Sequence, residues 1–74
     1  MHVYNVTRRD GALSSITVAD VDGRTASFSI DGGEAGSVLT HTPGLSDAWR
    51  REAWAFANIM LATEFETSSR PVQI

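Results

Sequence analysis

Residues 22–33 read Asp-Gly-Arg-Thr-Ala-Ser-Phe-Ser-Ile-Asp-Gly-Gly. Between two glycine-bearing turns, apolar Ala26, Phe28 and Ile30 alternate with polar Thr25, Ser27 and Ser29. Successive side chains of a strand point to opposite faces. This stretch therefore predicts a strand over 24–31 with one apolar and one hydroxyl face. Such clean alternation belongs to an antiparallel sheet with one face in water.

Upstream, Asp22-Gly23 and Asp10-Gly11 are two-residue hairpin signals, because tight primed turns need positive φ. They bound a strand over 13–21, with Ile16 and Val18 on one face and Ser15 and Thr17 on the other. A first strand over 3–8 has Tyr4 and Val6 on one face. Downstream, Asp31-Gly32-Gly33-Glu34 reads as a turn or loop that ends the meander, and 32–36 as a flexible glycine-rich connector. Residues 36–42 have room for a short fourth strand around Val38 and Leu39. Pro43-Gly44 then breaks the chain.

A helix follows, from Asp47 to about residue 64. Ser46 is a good N-cap, and Asp47 suits the positive end of the helix dipole. The segment has no Gly or Pro and is rich in Ala, Arg, Glu, Leu and Met. The element order predicts an α+β fold: a three- to four-stranded antiparallel meander with one C-terminal helix packed across one face. Residues 1–66 form a single α+β domain. Residues 67–74 are a tail or a short edge strand, since Pro71 is barred from mid-sheet.

At ~100° per residue, Trp49, Ala53, Phe56, Ala57 and Met60 form one apolar stripe. Trp54, Leu61 and Phe65 form a second beside it, and Ile59 lies beyond the first. Together they exceed the stripe that one small sheet covers. The surplus can be covered by the loop 32–44 or the tail, by a second copy in a symmetric dimer, or by a different partner. Arg50 and Trp54 are one turn apart on the same side, with Arg51 nearby, and aromatic residues with arginine make interface hot spots. The plain alternative is that Trp54 is core and that Arg50 and Arg51 are a solvated face with Glu52 for charge balance.

Composition narrows the function classes. The chain has 74 residues, a formal charge of −3 and no cysteine. Disulfide staples, thiolate metal sites and cysteine nucleophiles are excluded. All six basic residues are arginine, a usage that fits a GC-rich coding bias and also interfaces. The net charge argues against a general nucleic-acid binder. Arg8 and Arg9 beside the first turn, with Arg50 and Arg51 at the helix start, are the one foothold for phosphate, and Asp10, Asp47 and Glu52 weaken it. No run reaches the ~20 apolar residues of a membrane span, and the first ten residues lack the apolar core of a secretion signal. The expectation is a soluble, cytoplasmic protein.

Chemical motifs are sparse. Asp20-Val21-Asp22-Gly23 resembles the start of a calcium loop, but position twelve falls on Asp31 of a strand, not on Glu. There is no Gly-x-Ser-x-Gly elbow, and the glycine run lacks the Lys and Ser/Thr of a phosphate loop. No cofactor, metal or catalytic residue is assigned, and the chain is not expected to be an enzyme. In size and element order it resembles the tiny sheet-plus-helix proteins with which phages block host machines, CRISPR inhibitors among them. That resemblance implies a steric inhibitor of a bacterial host or defence complex, and it lends no residues. The residues themselves point to contact through Trp54, Arg50 and Arg51, with Arg8 and Arg9 as a secondary edge. The alternatives are a dimeric nucleic-acid-binding or regulatory protein using its arginines, and a small accessory subunit of a larger complex.

Overall fold

The computed structural model describes residues 1–65. The expectation for residues 67–74 lies outside them. Four strands, β1 (His2–Arg9), β2 (Ala12–Ala19), β3 (Thr25–Asp31) and β4 (Glu34–His41), precede helix α1 (Asp47–Met60) and a π-helical turn, Leu61–Phe65. The sheet order is β1-β2-β3-β4, and every neighbouring pair is antiparallel. The fold is the expected α+β meander with one helix, and it has the fuller count of four strands.

The turns follow from glycine placement. Arg9 pairs with Ala12 across Asp10-Gly11, whose φ angles are 55° and 84°. Two positive φ values are what the twist of a two-residue hairpin requires. Asp31 pairs with Glu34 across Gly32 and Gly33, at 62° and 84°. The stretch expected to end the meander as a flexible connector is thus a tight hairpin. Its two glycines are the reason, and β4 begins at Glu34 rather than at residue 36. The turn between β2 and β3 is wider than the Asp22-Gly23 signal predicts. It occupies residues 20–24 and leaves Val21, expected in a strand, 93% exposed.

Bulges correct the first strand. The register shifts between Val3 and Asn5, so Tyr4 is an extra residue in β1. This breaks the period-two alternation. Val3 and Val6 pack towards the core, and Tyr4 is exposed instead of sharing their face.

The core lies between α1 and one sheet face: Ile16, Val18, Ala26, Phe28 and Ala35 meet Trp49, Ala53, Ala57 and Leu61. Burying each large apolar side chain contributes ~1.5–3 kcal/mol. The helix starts where expected, with the Ser46 hydroxyl accepting from the Trp49 N–H at 3.1 Å. Its buried stripe recurs every fourth residue and takes in Leu61, which the wheel placed in the second stripe. The apolar surplus therefore contracts to exposed Trp54 and Ile59; the side chain of Phe65 lies outside the described part. The other sheet face is polar. Asn5, Thr17, Ser27 and Thr40 form one cross-strand row, and Thr7, Ser15 and Ser29 another. Neighbouring hydroxyls are hydrogen-bonded, Thr7 to Ser15 at 2.5 Å and Thr17 to Ser27 at 2.6 Å.

Candidate functional site

Trp54 follows the N-terminal half of α1 on the side facing β4. The residue is 46% exposed. Its Nε1–H donates to the Ala35 carbonyl at 3.0 Å, while Asn58 Oδ1 accepts from the Ala35 N–H at 2.8 Å. The Asn58 amide in turn donates to the Trp54 carbonyl at 3.2 Å. Asp31 and Glu34 close a two-residue turn, so the polar groups of Ala35 point away from β3, out of the sheet edge. Two helix side chains thus satisfy both backbone groups of one edge residue. Trp54 is neither simple core nor a loose surface ring: it is a half-exposed aromatic in a fixed orientation.

The arginines divide. Arg50 is half-buried and pairs with Asp47, not with Glu52. Arg51 is exposed and, with Ala55, lines a shallow depression beside Trp49. Arg50, Arg51 and Trp54 occupy adjacent turns of α1. Arg8 and Arg9 lie elsewhere, at the Asp10-Gly11 end of the sheet. The start of α1 is tied to the opposite end, where Trp49 meets Asp20. The structure therefore groups three of the five arginine and tryptophan positions and separates the other two.

Asp20 enters the sequence reading only as the start of a rejected calcium loop, with no role of its own. Its Oδ1 accepts from the backbone N–H groups of Asp22 and Arg24, both at 3.0 Å. Its Oδ2 accepts from Arg24 Nε at 2.7 Å and from Trp49 Nε1 at 2.8 Å. Desolvation pushes its pKa up, but the hydrogen bonds from Trp49, from the Arg24 and Asp22 backbone and from the Arg24 side chain outweigh it. The result is a value lowered to about 2. Arg24 also reaches Asp22 at 3.2 Å and lies 6.0 Å from the centroid of the Trp49 ring. The signal available in sequence was local: an Asp two residues before Asp22-Gly23 commonly folds back on the turn N–H groups. Its contact with Trp49 carried no such signal.

Among the described residues, no group of three or more His, Cys, Asp or Glu side chains is placed to hold a metal ion. No helix of the described part is long and apolar enough to cross a membrane. Comparison with known proteins finds no matching family model, no matching curated protein and no matching solved structure.

Proposed function

We propose that the chain is a non-enzymatic protein-binding module that acts in the cytoplasm by occupying a surface its partner needs, in the manner of a small phage inhibitor of a host or defence complex. The observation that carries this reading is the half-exposed Trp54 ring, fixed by its hydrogen bond to Ala35. An interface aromatic gains most when little rotamer freedom is lost on binding. Arg50 and Arg51 on the preceding turn supply the planar donors that accompany such anchors. The separation of Arg8 and Arg9 from Arg50 and Arg51 leaves the nucleic-acid alternative without one joint basic surface.

The test is capture by the tagged chain from lysate of the source cell or its host, with and without nuclease. It is repeated with Trp54→Ala and with the Arg50→Ala/Arg51→Ala pair. The expected result is a nuclease-resistant protein complex that is lost in Trp54→Ala while its circular dichroism stays that of the parent. Nuclease-sensitive capture supports the arginine-based nucleic-acid alternative instead. Recovery of the chain's own copies alone supports a dimer seam. Loss of folding in Trp54→Ala means that the ring is structural, and the proposed contact is wrong.

A further inference from the structure

We infer that β1 is a docking edge for an extended, acidic segment of a protein partner, which joins the sheet as a fifth strand beside residues 5–9. The inference goes beyond the Trp54 surface and does not rest on it.

The two edges of the sheet are finished differently. β4 is broken by register shifts on both sides of Phe28, and the outward groups of Ala35 are taken by Asn58 and Trp54. α1 lies over β2, β3 and β4. β1 carries an extra residue at Tyr4; the second register shift, between Thr7 and Arg8, has its extra residue, Ser14, in β2, so the backbone of β1 itself alternates regularly from Asn5 to Arg9. Arg9 and Ala12 close a two-residue turn, so they share ladder bonds. Alternation then sends the N–H and C=O groups of Val6 and Arg8 outward. Among the described residues, no turn, loop or side-chain hydrogen bond reaches those groups. An open row of this kind is a template for strand addition.

Charge selects the occupant. Among the described residues, Arg24 and Arg50 are ion-paired, whereas no ion pair involves Arg8 or Arg9, although Asp10 follows them in the turn. Residues 5–9 therefore carry two unpaired arginines and no acid of their own, on a chain of net charge −3. A parallel second copy would set arginine beside arginine, which is unfavourable across strands. An antiparallel copy centred on Thr7 would set Arg8 beside Val6 and Arg9 beside Asn5, leaving both arginines without a partner. An acidic strand supplies one to each. Side-chain direction adds detail. Val6 pairs with core residue Ile16, and Arg8 pairs with Leu13 on that same face, whereas Arg9 points to the other. The incoming strand should carry an apolar residue beside Val6, an acid two positions along on that face, and a second acid adjacent to it.

The test titrates the full, 15N-labelled chain with an acetylated peptide of alternating threonine and valine that ends in two glutamates. One control replaces the glutamates by lysine. The other N-methylates the peptide's alternate amides. The expected result is amide shifts confined to residues 5–9 and loss of binding on N-methylation. Affinity should fall about tenfold or more in Arg8→Glu/Arg9→Glu. The inference is overturned by absence of shifts at millimolar peptide, by equal binding of the lysine peptide, or by shifts centred on Trp54 and β4. Nuclear Overhauser contacts placing residues 66–74 along β1 overturn it too, since the edge would then be filled by the chain itself.

Discussion

Trp49 and Asp20 stand 29 residues apart in the chain and 2.8 Å apart at Nε1 and Oδ2. This contact fastens the first turn of α1 to the loop between β2 and β3. Asp20 at the same time holds that loop closed through the N–H groups of Asp22 and Arg24. One carboxylate thus sets both the loop and the angle at which the helix enters the sheet.

Removal of either partner should lower the thermal midpoint, and the two losses should not add. In a cycle of Asp20→Ala, Trp49→Phe and the double variant, the second substitution should do less in the background of the first. Strict additivity would show that the contact contributes nothing.

The same carboxylate sets an acid limit. Its folded pKa is about 2, below the ordinary 3.8. A depressed carboxylate gives stability that is present above the unfolded value and is lost as pH falls through the folded one. The urea midpoint should therefore decline from about pH 4 down to about pH 2. In Asp20→Asn that decline should be shallower, and an identical slope in the two proteins would refute the assignment.

Asn58 should be worth more than its polarity in an apolar stretch suggests. Without its side chain, the Ala35 N–H loses its partner, at a cost of about 1–3 kcal/mol. Asn58→Leu should destabilise the protein although it raises apolar content. Hydrogen exchange at the Ala35 amide should be slow in the parent and faster in the variant.

Core positions should be far less tolerant than the exposed apolar residues. Phe28 is nearly fully buried, and truncation to alanine costs about 3–5 kcal/mol at such sites. A domain this small has little more than that to lose, so Phe28→Ala should be largely unfolded at room temperature. Tyr4→Ala, on the bulge, should change stability by less than about 0.5 kcal/mol. Chemical denaturation of both variants checks the contrast.

Much of this was legible because it was local. The alternation of Ala26, Phe28 and Ile30, the Asp10-Gly11 turn and the Ser46 cap each depend on near neighbours, and each gave its element. The misjudged features depend on pairing. The extra Tyr4 is invisible until β1 is set against β2. Gly32-Gly33 reads equally as a slack linker or a tight hairpin until Glu34 is paired with Asp31. Of the expected site residues, Arg50, Arg51 and Trp54 share a helix and so stay together in any fold. Arg8 and Arg9 could be placed only by knowing which end of the sheet receives the helix. Asn58 carries no local signal, because its partner lies 23 residues away, on a strand edge.

The sheet order repeats the chain order. Each strand therefore pairs with the one just made, and the hairpins can close one after another with little chain entropy lost at each step. Such low contact order favours rapid folding. Only the arrival of the helix closes a longer loop, with Trp49 meeting Asp20 at the seam.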